Sequence, residues 1–271
     1  MEGKKAGIKF IYNEPALIAT HNGKNHLVVG DLHIGVEREV KWRGVNMRSA
    51  TDMIANRLIG IATSFKTDDL VILGDLKNSI FRLDYVEIRI IKTFLAQLKD
   101  GGINVHLITG NHDAYVDDFS GILKSITDEM IIDDMALMHG HRWPSVKAMS
   151  KGTIITAHSH FAIRMYDING AFYNSKVWLI AKANKKKLTE RYPRGKANRL
   201  IVMPAFNDLI VGSGLGISSN KGDDINPLLR NNVFGFNNAE VYGLDGVFAG
   251  HVADILKMQR RNQPKNGKRR A

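Results

Sequence analysis

Leu107-Ile108-Thr109-Gly110-Asn111-His112-Asp113 joins a short apolar run to a glycine and then to an amide, an imidazole and a carboxylate in succession. The apolar half reads as a buried strand. Asn, His and Asp also serve ordinary turn chemistry, so this stretch gains its meaning from company. Four others follow the same grammar: Leu27-Val28-Val29-Gly30-Asp31-Leu32-His33, Leu70-Val71-Ile72-Leu73-Gly74-Asp75, Ala136-Leu137-Met138-His139-Gly140-His141 and Ile154-Ile155-Thr156-Ala157-His158-Ser159-His160. Each is an apolar run that ends in Asp, His or Asn. Packing alone gives no reason for five such endings.

Between these runs lie two helical patterns. Ser49 or Thr51 can cap a helix reaching Ser64, with Met53, Ile54, Leu58 and Ile61 on one face. Asp84 can cap another, with a stripe of Val86, Ile90, Ile91, Phe94, Leu95 and Leu98, ended by Asp100-Gly101-Gly102. Strand, helix, strand, helix, strand is a βαβ series and predicts a parallel sheet. Ligands of such sheets bind beyond the carboxyl ends of the strands, where all five polar clusters fall. Ahead of the series, His21-Asn22-Gly23-Lys24-Asn25 predicts a hairpin turn. After His160 the chain changes to shorter β-rich pieces, Phe161–Tyr166, Val177–Ala181, Leu200–Met203 and Val241–Leu244, which predict a second, more antiparallel sheet packed on the first. Gly212 to Asn238 reads as a long loop, and the ten residues from Asn262 as a disordered basic tail after a single domain of residues 1–261.

The chain has 271 residues, 44% of them hydrophobic, enough for a sizeable core. It contains no run long enough to span a membrane, and its polar start is no signal peptide, so the expectation is a soluble cytoplasmic protein without a membrane partner. Cysteine is absent, which excludes disulfides and thiolate metal sites. A metal site must then use imidazole, carboxylate and amide. The formal charge of +11 is unevenly spread. Lys182, Lys185, Lys186, Lys187, Arg191, Arg194, Lys196 and Arg199 crowd one segment against a single acid, Glu190. Such crowding points to a polyanionic partner, nucleic acid above all.

Asp31 and His33, like His158 and His160, stand two apart on an extended chain and can face one side. With Asp75, Asn111 and His139 they make seven potential ligands, more than one first-row ion takes. Two ions about 3.5–4 Å apart sharing a carboxylate would use them economically, and that arrangement performs in-line attack of hydroxide on phosphorus. The donor mixture suits Mn²⁺, Fe²⁺ or Zn²⁺ better than Ca²⁺. His112, beside Asn111, is the unligated group placed to protonate the leaving oxygen. His106, inside a strand, reads as a hydrogen-bonded core residue, and His21, His26 and His251 as structural.

In these residues the chain resembles the calcineurin-like metallophosphoesterase superfamily, whose pattern is Asp-x-His, Gly-Asp, Gly-Asn-His-Asp/Glu, His, then Gly-His-x-His. The resemblance implies a four-layer α/β/β/α sandwich of two mixed sheets. It gives Asp31, His33 and His160 to one metal, Asn111, His139 and His158 to the other, Asp75 to the bridge, and catalysis to His112. It implies two divalent ions, with Mn first and Fe, Zn, Ni or Mg as alternatives. A narrower resemblance, carried by Gly74-Asp75-Leu76-Lys77, His139-Gly140-His141 and Met203-Pro204-Ala205-Phe206-Asn207, is to the small prokaryotic, archaeal-type ICC-like phosphoesterases. It implies a link with DNA repair and its proteins. Two positions depart from the family pattern. Ala157 replaces a glycine, and Asn78 stands where many relatives carry an acid that partners the catalytic histidine, a role an amide fills less well. Asp113 is a candidate to orient His112 instead. Lys77, Asn78, His141, Lys185, Lys186 and Lys187 are the candidate substrate contacts. The function expected is a metal-dependent phosphodiesterase or nuclease. A hydrolase of small phosphate esters or nucleotides is the alternative, and a non-catalytic scaffold fits less well because His112 is retained.

Overall fold

Leu70 and Ile72 belong to one apolar cluster, Val71 and Leu73 to another. Leu200 and Val202 divide from Ile201 in the same way. Side chains of a strand alternate between faces, so an unbroken apolar run is a strand buried on both. Three clusters sort these faces. One lies between a sheet and helices, one between two sheets, and one between the second sheet and further helices. That sequence of layers is α/β/β/α.

A computed structural model describes residues 7–42, 44, 49–81, 83–168, 171–210, 212, 215 and 226–262. The first half comprises β1 (Gly7–Phe10), β2 (Leu17–His21), β3 (Lys24–Val29), α1 (Val36–Trp42), α2 (Ala50–Ser64), β4 (Asp69–Leu73), α3 (Tyr85–Asp100), β5 (Asn104–Ile108) and β6 (Ser125–Thr127). Next come β7 (Glu129–Ile132), β8 (Met135–Met138), α4 (Val146–Met149), β9 (Thr153–Thr156), β10 (Ala162–Tyr166), β11 (Phe172–Lys182), α5 (Lys185–Arg191) and β12 (Arg199–Val202). The last are α6 (Pro227–Arg230), β13 (Glu240–Gly243), β14 (Phe248–His251) and α7 (Val252–Asn262). The first sheet runs β1-β2-β3-β4-β5-β6, antiparallel to β3 and parallel from there on. The second runs β14-β13-β11-β12-β9-β8-β7, with β10 paired to β11.

The local signals form where the side chains require. Asn22 and Gly23, both at positive φ, close the hairpin between β2 and β3. Ser49 caps α2, and Asp84 forms a capping box with Glu87 at the start of α3. Two stripe members prove exposed, Met53 and Val86. The helical period puts Val86 about 140° from Ile91 around α3, and Met53 about 100° from Ile54 around α2. Among the described residues, no helix is long and apolar enough to cross a membrane.

The second sheet departs from expectation in where it begins. It starts at β7, so β8 and β9 belong to it and not to the βαβ series. It is mixed, as the family resemblance implies: β8 with β9 and β9 with β12 are parallel pairs. Of the expected loop 212–238, α6 and its flanks from 226 are described. Its residues 213, 214 and 216–225 lie outside the described residues, as do Asn169 and Gly170. α7 reaches Asn262, the first residue of the expected tail, and the tail from 263 lies outside the described residues.

The two sheets come close together just past β3 and β9. A Cβ on Gly30 would lie 2.5 Å from that of Ala157. Only one of the pair can carry a methyl, so Ala157 fits because its partner is glycine. Gly30→Ala should therefore destabilise the protein by about 1–3 kcal/mol, the usual range for overpacking. Adding Ala157→Gly should recover most of that loss in thermal or denaturant unfolding. A single variant as stable as the parent would mean that the sheets part freely here.

Candidate metal centre

Three of the five clusters follow β3, β4 and β5 of the first sheet, and two follow β8 and β9 of the second. Their turns are bonded to one another. Asp31 N donates to Gly74 O at 3.1 Å and His33 N to Asp75 O at 2.8 Å, so the loops after β3 and β4 stay paired. His139 Nδ1 lies 2.7 Å from Leu73 O, and His158 N donates to the Asp31 carboxylate at 3.1 Å. These two bonds tie the second sheet to the first across the strand ends.

Asp113 closes the frame. Its buried carboxylate accepts from Asp75 N at 2.7 Å, Gly110 N at 2.8 Å and Leu76 N at 3.0 Å. Burial first, then the nearby Asp75 charge, pushes its pKa up to about 6. With both oxygens committed to backbone, Asp113 does not orient His112. That task falls to the Asn78 carbonyl, 2.6 Å from His112 Nδ1. The Asn78 side chain turns away and donates to Glu39 Oε1.

The backbone here is strained. Eleven described non-glycine residues have positive φ, and five of them are Asp31, His33, Asp75, His158 and His160. This conformation is disfavoured for side-chain-bearing residues and collects at functional sites. It turns the side chains of the two x-spaced pairs inward from alternate loop positions.

Two groups of side chains result. Ligand atoms of Asp31, His33, Asp75 and His160 lie within 4.8 Å of one another, as do those of Asp75, His139 and His158. Asp75 belongs to both. Asn111 Oδ1 joins the second group, 2.9 Å from His139 Nε2. His139 donates from Nδ1 to the Leu73 carbonyl, which leaves Nε2 facing Asp75, 3.3 Å away. Both ring nitrogens of His33 are buried without a hydrogen-bond partner. His160 Nε2 sits 3.2 Å from Asp31 Oδ1 without hydrogen-bond alignment. Buried imidazoles left unsatisfied beside two carboxylates suit divalent cations. The residues fit the two-ion group that the sequence implies.

Electrostatics agrees. Burial works to raise the pKa of Asp31, yet His160 and His139 hold it below the carboxylate range. Asp75 is likewise opposed by burial but held down by His139, His33 and His112. Burial disfavours charge on His139, and contact with Asp75 and Asp31 overcomes it, raising its pKa to about 9. His33 goes the other way, to about 4, because burial dominates. Cations and protons thus compete for the same negative pocket.

The family model for calcineurin-like phosphoesterases matches residues 25–254. The chain belongs to that family. Among solved structures, the Pseudomonas putida nuclease MPE is similar at 15% identity and a TM-score of 0.55, over 90% of this chain and 96% of that one. Yfce, a phosphoesterase from E. coli, is similar at 18% identity and a TM-score of 0.32, over 54% of this chain and 75% of that one. No curated protein matches the chain.

The structure separates the candidate substrate contacts. His141 borders the centre, its ring 5.2 Å from that of His139, and accepts from Arg142 Nε at 2.9 Å. Burial, then His139 and Arg142, lowers its pKa to about 4. Lys77 does not stand where the sequence suggests, among the substrate contacts. It is fully buried, with Nζ donating to the carbonyls of Ser79 and Phe81, so it shapes a loop and faces no substrate. Lys185, Lys186 and Lys187 open α5 at the far end of the second sheet, because Lys182 pairs with Arg199 and Arg199 with Thr153, the first residue of β9. His106 bonds Ser125 and Asp69, as a core histidine does. Phe206 and Asn207, quoted above only as part of a motif, have a role that the sequence did not assign. Asn207 Nδ2 donates to Leu32 O at 2.7 Å, and Phe206 N to Gly30 O at 2.9 Å, clamping the Asp31–His33 turn. An amide at the end of the apolar Met203–Phe206 run was the available signal.

Because Asp75 serves both groups, Asp75→Asn should weaken both sites together. Metal at 100 times its Kd stabilises a protein by about 2.7 kcal/mol, or roughly 5–10 °C for a chain of this size. That metal-dependent rise in Tm should largely vanish in the variant, together with bound metal measured by elemental analysis. Two ions retained at full affinity would remove Asp75 from the shared position.

Proposed function

We propose that this chain is a divalent-metal-dependent phosphodiesterase acting on nucleic acid, with Mn²⁺ first among the ions that the family resemblance implies. One observation carries the reading. Asp75 belongs to both ligand groups, and His112 Nε2 lies 4.0 Å from the same carboxylate, on the half-exposed side of the pocket. Asp31, His33, Asp75 and His160 would hold one ion; Asp75, Asn111, His139 and His158 the other. Ions bound there supply Lewis acidity toward phosphoryl oxygens and lower the pKa of bound water.

The chain's own groups do the remainder. Asp31, His33, Asp75 and His139 are buried, so the floor is shielded from bulk solvent, while Asn111, His112, His158 and His160 open toward solvent where an ester can enter. The Asn78 carbonyl accepts from His112 Nδ1 and fixes the ring with Nε2 facing the pocket. When the bond from phosphorus to the leaving oxygen breaks, a proton passes from His112 Nε2 to that oxygen. The neutral ring keeps its other proton on Nδ1, because the carbonyl requires a donor there. A ring 4.8 Å from His33 is close enough to act and is not needed as a ligand. The net charge of +11 supports a polyanionic substrate over a small ester.

His112→Ala should leave metal content intact and lower turnover by roughly 10²–10⁴-fold, as the loss of a general acid does. A p-nitrophenyl leaving group, which needs no proton, should hide part of that defect. Asn78→Ala should stay within a few-fold of the parent, since the contact is made by backbone. Loss of an ion from His112→Ala would make it a ligand and end this assignment.

A further inference from the structure

The basic segment between β11 and β12 is bound to the rim of the metal centre by its far end. α5 begins beside Lys182 and Arg199, at the base of the second sheet, and ends where Arg191 stacks on the Trp143 ring, 3.4 Å from guanidinium to centroid. Tyr192 Oη then donates to Pro144 O at 2.8 Å. Trp143 and Pro144 line a cavity of about 480 Å³ that opens beside His139 and His141. At the other end, Lys182, Lys185, Lys196 and Arg199 border a second cavity of about 820 Å³. The distance between is about the length of β9 and its turn, the five residue steps from Thr153 to His158, or roughly 17 Å.

Charge along this line is unbalanced. Lys187 pairs with Glu190 and Lys182 with Glu240. Lys185, Lys186, Arg194, Lys196 and Arg199 are exposed, and among the described residues none has a carboxylate within ion-pair distance. A row of like charges repels itself unless an anion of matching extent lies along it. A small phosphate ester is too short to reach both ends.

We propose that the α5 face is a track for the phosphodiester backbone of a nucleic acid, running from the base of the second sheet over Arg191 to the metal centre. This rests on the phosphodiesterase reading for its endpoint, but the track is a binding surface and can be tested by itself. Lys and Arg contacts to phosphate carry no sequence information, so the track binds without base preference.

The test measures the affinity of fluorescent single-stranded DNA and RNA of one length and sequence, by anisotropy over a range of salt. It uses the full, metal-loaded chain carrying His112→Ala so that the probe survives. Lys185→Ala/Lys186→Ala/Lys196→Ala should flatten the slope of log K against log salt by about 2, from roughly 0.7 per contact for single strands. A matched triple on α3, Arg89→Ala/Lys92→Ala/Lys99→Ala, removes the same charge from the opposite layer and should leave the slope nearly unchanged. Equal slopes on both probes identify the shared backbone as what is bound; an effect on one alone names that nucleic acid as the occupant. Equal flattening by both triples would reduce the effect to net charge and overturn the track, as would no flattening by either. Both triples should keep the parent's melting temperature, and the α5 triple in an otherwise unmutated chain should hydrolyse a small phosphodiester at the parent rate. Failure of the unmutated chain to hydrolyse that ester would sink the phosphodiesterase reading while leaving the slopes to judge the track.

Discussion

Everything at the strand ends depends on one buried carboxylate, that of Asp113. It accepts four backbone N–H groups from two loops, and through them fixes where Asp75 and His112 stand. Hydrogen bonds to a charged acceptor are worth about 1.5–3 kcal/mol each, so the set offsets much of the cost of burying the group. Asp75 Oδ1 in turn accepts from His112 N at 2.9 Å. The carboxylate that serves both ligand groups therefore also positions the residue proposed to handle the proton. Gly110 completes the arrangement, since a Cβ there would run into the Asp75 side chain.

Strain at the ligands is the second constraint. A residue held at positive φ costs of order 1–3 kcal/mol, and five ligands are so held. The conformations persist because bonds from elsewhere over-determine them. Asp31 and His33 sit between the paired loop after β4 and the clamp of Phe206 and Asn207. Lys176 secures that clamp from behind, with Nζ on the carbonyls of Ala205 and Asn207 and on Asp208. Arg57 joins Glu14 to Asp208 across the same corner. Stability stored in these contacts is what allows the ligand loops to stay bent.

Much of this was legible in the sequence. Apolar runs stop at polar clusters because a strand buried on both faces must emerge at its end, and only there can Asp or His reach a ligand. Ser49, Asp84 and Asn22-Gly23 announce their structures through local hydrogen bonding. The assignment of β8 and β9 to a sheet was not legible, because a run buried on both faces looks the same in either sheet. Backbone partners were hidden too. The group orienting His112 is a carbonyl, which every residue carries, so the missing acid at Asn78 was a misleading clue. Lys77 misled for a related reason: sequence shows a cation beside a ligand but not the carbonyls that engage it. The far placement of Lys185–Lys187 follows from the antiparallel return of β11, which no local pattern encodes.

The bond from Asn207 to Leu32 spans 175 residues. It has a consequence for the order of events during synthesis. All seven candidate ligands have been made once His160 leaves the ribosome, yet β12, which pairs with β9, and the clamp beyond it have not. Contacts this distant in sequence form late, because the chain between must first be closed. The emerging polypeptide thus passes through a stage in which every ligand is present and no pocket holds them together. A pocket able to hold a metal therefore awaits the clamp at Phe206 and Asn207, and the carboxylates and imidazoles remain hydrated until the two sheets meet.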